Sequence, residues 1–121
     1  MGSRYRGLYL NGLKSITPEV VRELVKLKYS ELYLNGLTLI TPEVGKELAR
    51  FNDNLYLDGL ISITPEAAKE LVKSEGSLSL DSLTLITSGV AKELAKSRGL
   101  SLDGLKSITP EVAKELATTK M

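Results

Sequence analysis

The sequence predicts an α/β fold: a curved, right-handed solenoid of five strand–turn–helix repeats, with a short parallel sheet on its concave side. Three observations carry that reading. The chain repeats itself five times, with a period of 22 to 24 residues. Each copy opens on an alternating Leu-x-Leu segment, the pattern of a strand with one buried face. Each then passes through Asn/Asp-Gly (Asp-Ser in the fourth copy) and restarts at Thr-Pro-Glu or Thr-Ser-Gly, where a helix would begin.

The units run 8–31, 32–54, 55–77, 78–99 and 100–121, after a leader, 1–7, that reads as the remnant of a preceding repeat. In every unit the first, third and sixth residues are Leu, the ninth is Ile, the tenth Thr, and the sixteenth and seventeenth are Glu-Leu. Within the strand, Leu8 and Leu10 should point to the core and Tyr9 away from it. The turn glycine is expected to supply a left-handed φ, with the Asx side chain bonding its own turn backbone.

Thr17, Thr41, Thr64, Thr87 and Thr109 read as N-caps, with proline at the first helical position in four of the five units. Helices are expected over 18–27, 42–50, 65–73, 88–96 and 110–117. On the first of them Val20, Val21, Leu24 and Val25 would form the buried stripe, with Glu19, Arg22, Glu23 and Lys26 in water. No single unit can bury its apolar face alone, so the leucines should form continuous columns through the stack. Parallel strands lie about 4.8 Å apart and packed helices about 8–10 Å, which predicts curvature with the strands inward.

This pattern resembles the leucine-rich repeat family, in particular bacterial tandem arrays reading like LxLxGLxSITPEVAKELA, over residues 8–121. The resemblance implies a scaffold that binds proteins or peptides on its concave face. The sequence departs from the family where an asparagine ladder usually ties the turns together, because that position holds Leu13, Leu37, Leu60, Leu83 and Leu105. An apolar column is therefore expected in place of the polar one. The polar end-caps usual in the family are also missing from the pattern. Uncapped edges predict self-association, as a homodimer joining like ends about a two-fold axis.

Composition narrows the function. With 16 basic and 15 acidic residues the net charge is +1, without the basic excess that nucleic-acid binding usually requires. No apolar run reaches membrane-spanning length and no signal peptide is legible, so neither membrane nor compartment is indicated. The chain has no His and no Cys, which removes the commonest general base and the thiol nucleophile. Catalysis, a cofactor and a metal are therefore not expected.

Two rows remain as candidate partner-binding residues. Tyr9, Tyr33 and Tyr56 share the second position of their units, followed by Ser79 and Ser101, and would form a phenolic stripe on the concave face. Asn11, Asn35, Asp58, Asp81 and Asp103 form a parallel row at the strand ends. Three carboxylates in line could hold a hard cation, but no loop supplies the remaining oxygens, and service to the turns is the simpler role. Arg22, Lys46, Lys69, Lys92 and Lys114 beside Glu23, Glu47, Glu70, Glu93 and Glu115 read as a solvated convex face with i,i+3 pairing. Arg4 and Arg6 around Tyr5 read as a solvated basic terminus.

The expected function is protein or peptide binding. The alternative is a designed, reconstructed or excised array without a ligand. Ser15, Ser62 and Ser107 alternate with Leu39 and Leu85 at the eighth position, a trace of duplication history.

Overall fold

The computed structural model describes residues 6–117. Strands and helices alternate without exception: β1 (Gly7–Tyr9), α1 (Pro18–Leu24), β2 (Glu31–Tyr33), α2 (Pro42–Leu48), β3 (Asn54–Tyr56), α3 (Pro65–Leu71), β4 (Ser77–Ser79), α4 (Ser88–Leu94), β5 (Gly99–Ser101) and α5 (Pro110–Ala117). The strands form one parallel sheet in the order β1-β2-β3-β4-β5. Equivalent residues of successive repeats face one another, Leu8 against Leu32, Leu32 against Leu55, Leu55 against Leu78 and Leu78 against Leu100. The pairing continues one residue beyond the strands, where the Leu34 N–H donates to Tyr56 O and that of Leu57 to Ser79 O, both at 2.9 Å.

The columns form as the alternation requires. Leu32, Leu55 and Leu78, then Leu34, Leu57 and Leu80, then Leu37, Leu60 and Leu83, are all buried and pack with Leu48, Leu71 and Leu94 from the helices. Among the described residues the outer repeats have a neighbour on one side only, and Leu8, Leu10, Leu100, Leu102 and Leu105 stay partly exposed.

Every helix starts where its cap was expected. The hydroxyl oxygens of Thr17, Thr41, Thr64, Thr87 and Thr109 each accept from the N–H three residues on, at 3.1–3.2 Å. The ends of the first four fall short of expectation, at Leu24, Leu48, Leu71 and Leu94. After those leucines the chain tightens into i,i+3 bonds, such as Leu27 N–H to Leu24 O at 3.1 Å and Phe51 N–H to Leu48 O at 3.0 Å. The apolar stripe continues past the helix because Val25 and Phe51 still pack on the core from this tighter turn.

Three further expectations are corrected. No described residue has a positive φ, so the turn glycines are not there for left-handed backbone. They are there for closeness: a Cβ on Gly36 would overlap the carbonyl oxygen of Asn11, one on Gly59 that of Asn35, and one on Gly104 that of Asp81. Val20 is 46% exposed, whereas its counterparts Val44 and Val90 are 3% exposed, because this position packs against the preceding repeat. The expected i,i+3 pairing forms, Glu23 with Lys26, Glu47 with Arg50, Glu70 with Lys73 and Glu93 with Lys96, but the face is not solvated throughout. Arg22 instead reaches the next helix, its Nη2 lying 3.2 Å from Glu47 Oε2. Glu47 is buried, and the Arg22 hydrogen bond holds its carboxyl below the usual carboxylate range despite that burial.

Candidate functional site

The sheet's polar face is built by register. Parallel pairing sets Tyr9 beside Tyr33 and Tyr33 beside Tyr56, one strand spacing apart. Their rings stack, with centroids 4.3 Å apart at 10° for the first pair and 4.2 Å apart at 7° for the second. The central hydroxyl, on Tyr33, donates to Glu31 Oε1 at 3.0 Å. Burial between its neighbours, and then the Glu31 hydrogen bond, push the Tyr33 phenol well above its ordinary pKa.

The next register positions hold Ser79 and Ser101. The stack therefore stops at Tyr56, and a hollow of about 380 Å³ opens beyond it, bounded by Tyr56, Ser79, Asp81 and Ser101 over the backbone of β3 to β5. The two serines are small where three rings were large, and that change of volume makes the hollow.

The Asx row lies at the strand ends, but it does not serve its own turns. Asn11 Oδ1 accepts from the Asn35 N–H at 2.8 Å, and Asn35 Oδ1 from the Asp58 N–H at 2.8 Å. Asp58 Oδ1 accepts from the Asp81 N–H at 2.9 Å, and Asp81 Oδ1 from the Asp103 N–H at 2.8 Å. Each side chain thus ties one repeat to the next. The polar ladder is not replaced by leucine; it sits two residues earlier in the repeat than the resemblance implied.

The identity of each rung follows the residue it meets. Where the next strand carries Tyr33 or Tyr56, the rung is Asn. Where it carries Ser79 or Ser101, the rung is Asp, and the serine hydroxyl donates to the carboxylate: Ser79 Oγ to Asp58 Oδ1 at 2.6 Å, Ser101 Oγ to Asp81 Oδ1 at 2.5 Å. These bonds, Ser101 first and the Asp103 N–H second, hold the Asp81 carboxyl below its ordinary pKa. The covariation was present in the sequence, but a search within single repeats could not reveal a bond made between them. Ser82, which stands where other turns have glycine, donates its hydroxyl to Asp58 O and so turns a close approach into a hydrogen bond.

Among the described residues, no three His, Cys, Asp or Glu side chains converge to hold a metal ion, and no helix is long and apolar enough to cross a membrane. Of the basic terminus, Arg4 and Tyr5 lie outside the described residues, and the Arg6 guanidinium sits 4.7 Å from the Tyr29 ring centroid.

A second surface escaped sequence reasoning. Leu39, Ile61 and Leu85 are all exposed on the strand-to-helix edge, one from each interior repeat, where the outer repeats carry Lys14-Ser15 and Lys106-Ser107. A groove of about 380 Å³ beside them is lined by Ile16, Leu39, Ile40 and Val44. The signal was the alternating apolar residue at positions seven and eight, which reads as noise until both positions are seen to share one edge.

No family model matches the chain, and a search of curated proteins returns no match.

Proposed function

We propose that this chain is a non-catalytic scaffold of leucine-rich-repeat type that binds an extended peptide, or the edge of a protein, on the tyrosine face of its sheet. In this reading the solenoid is right-handed and curves with the sheet inward, because closely spaced strands oppose more widely spaced helices. The observation that carries the proposal is the stack that ends at Tyr56 above an open hollow. Aligned phenols are rigid, amphipathic and already ordered, so little side-chain entropy remains to be lost on binding. An aromatic side chain entering the hollow continues the stack on Tyr56, an arrangement worth about 0.5–1.5 kcal/mol beyond the area it buries.

The Asx row acts as support rather than contact. Asn11, Asn35, Asp58 and Asp81 already hold backbone N–H groups of the following repeat, and Asp103 is the one rung without a later strand among the described residues. The Ser–Asp pairs do not amount to a nucleophile and its base, since a carboxylate is too weak a base for a serine hydroxyl and the chain has no His to stand between them. The same internal satisfaction favours a second reading, a repeat array without a ligand.

Screening a random peptide library on the immobilised chain separates the two readings. Enriched sequences should carry an aromatic residue, and their binding should fall at least tenfold on Tyr56→Ser, with the circular dichroism spectrum unchanged. A screen that enriches nothing, or peptides that hold Tyr56→Ser equally well, would leave the ligand-free array.

A further inference from the structure

The hollow beside Tyr56 spans two register positions, those of Ser79 and Ser101. Rings in the stack repeat every 4.2–4.3 Å, close to the roughly 4.8 Å between strands, so one aromatic layer goes with one strand. An aromatic side chain laid on Tyr56 therefore fills the Ser79 position and leaves the Ser101 position, beside Asp81, open. We propose that this second position takes the guanidinium of an arginine in the same bound peptide, an inference that rests on the peptide-binding role proposed for this face.

Hydrogen bonding inside the hollow decides the class of group. Ser77 donates its hydroxyl to Asn54 Oδ1 at 2.6 Å, Ser79 to Asp58 Oδ1 at 2.6 Å and Ser101 to Asp81 Oδ1 at 2.5 Å. Each serine has one hydroxyl hydrogen to give, and all three are spent within the protein. What the serines turn toward the hollow is lone pairs. Asp81 adds its second oxygen, met only by Ser79 Oγ at 3.4 Å, whose hydrogen is already committed to Asp58. A site of acceptors calls for a ligand made of donors. A carboxylate or phosphate would set acceptor against acceptor, beside a negative charge.

Charge points the same way. The Asp81 carboxyl stays ionised at neutral pH, since the Ser101 and Asp103 bonds hold it below its ordinary pKa. Yet neither Asp81 nor Asp58 has an ion-pair partner among the described residues, where every such pair joins side chains on or just after the helices. Along the face the rungs change from amide to carboxylate at Asp58, and the rings give way to serines one strand later. One part of the face is thus aromatic and neutral, the other small and anionic. A guanidinium suits the junction of the two better than an ammonium, because it is planar, stacks on aromatic faces, and carries five donors and no acceptor. Laid on the peptide's own ring, it extends the column of Tyr9, Tyr33 and Tyr56 and meets Asp81 from there.

Peptides with a fixed tyrosine between randomised flanks, screened on the immobilised 121-residue chain, provide the test. Arginine should be enriched within about two residues of the fixed ring, on the same side of an extended peptide. In a peptide so selected, changing that arginine to citrulline keeps the shape and removes the charge, and should weaken binding by about tenfold. Lysine in its place should recover only part of that loss. Asp81→Asn, which retains an acceptor oxygen as Asn11 and Asn35 do, should bind the arginine and citrulline peptides alike; if it melts early, the citrulline comparison on the parent still decides. Selected peptides without arginine overturn the inference and leave peptide binding on the tyrosine face standing. So does a citrulline or lysine peptide that binds as tightly, or an Asp81→Asn chain that still prefers arginine. A screen that enriches nothing overturns both.

Discussion

A single side-chain oxygen per repeat links neighbouring turns, and the chain uses Asn or Asp for it according to what lies opposite. The Asp81 carboxylate takes both the Ser101 hydroxyl and the Asp103 N–H, and its pKa is lowered by those bonds. A carboxyl depressed in the folded state contributes stability above the unfolded value of about 3.9, and that contribution is lost as the pH falls through the folded value. Asp81→Asn keeps an acceptor oxygen at the same place, as Asn11 and Asn35 do, but cannot protonate in that range. Urea melts should therefore find this variant close to the parent at pH 7 and losing less stability between pH 5 and pH 3. An equal acid loss in both proteins would mean that the Asp81 bonds carry no part of it. Little of this was legible in the sequence. Asx-Gly advertises a turn, and turn chemistry offers two reasons for each residue, a left-handed φ and a bond to its own backbone. Neither operates here, because the decisive neighbour of each turn is the preceding turn, 22 to 24 residues away.

At the scale of elements, what could be read were the features that depend on adjacent residues. Thr places each helix start, with Pro after it in four of the five, because the cap hydroxyl and the fixed φ act within one turn. Helix ends carry no such punctuation: apolar residues such as Val25 and Phe51 go on packing after the hydrogen bonds have tightened. The element that departs most from its siblings is α4, where Ser88-Gly89 replaces Pro-Glu and the first turn has no acidic residue. It keeps the length of α3 and an equivalent cap, Thr87 in the place of Thr64, so packing carries it through a poor start. Amide exchange should nonetheless be faster at 88–91 than at 65–68. A Cβ on Gly89 would come no closer than 3.6 Å, to the Pro65 ring, so a side chain fits there. Gly89→Glu should stabilise the protein by about 1 kcal/mol through helix propensity and the dipole together. An unchanged melting curve would show that interior packing already suppresses fraying at this start.

For the whole molecule, stability is a sum over junctions, and the position of a residue along the stack decides its weight. Five-fold repetition made the α/β order and the parallel sheet legible, since only stacking covers the Leu-x-Leu face. It could not show how the ends differ, because identical motifs there meet different surroundings. Leu57, Leu80 and Leu102 share the third position of their units, yet the first two are buried and Leu102 is partly exposed. Leu57→Ala removes a side chain enclosed by repeats on both sides and should cost about 2–5 kcal/mol. Leu102→Ala in dilute solution should cost distinctly less, because one wall of its site is water and the cavity left behind can fill. Tyr56→Ser, which alters the outer face and copies what Ser79 already is, should also fall below Leu57→Ala. Chemical denaturation of the three variants ranks them. If Leu102→Ala matched Leu57→Ala, the last repeat would be as enclosed in solution as the third, and position along the stack would not set a residue's weight.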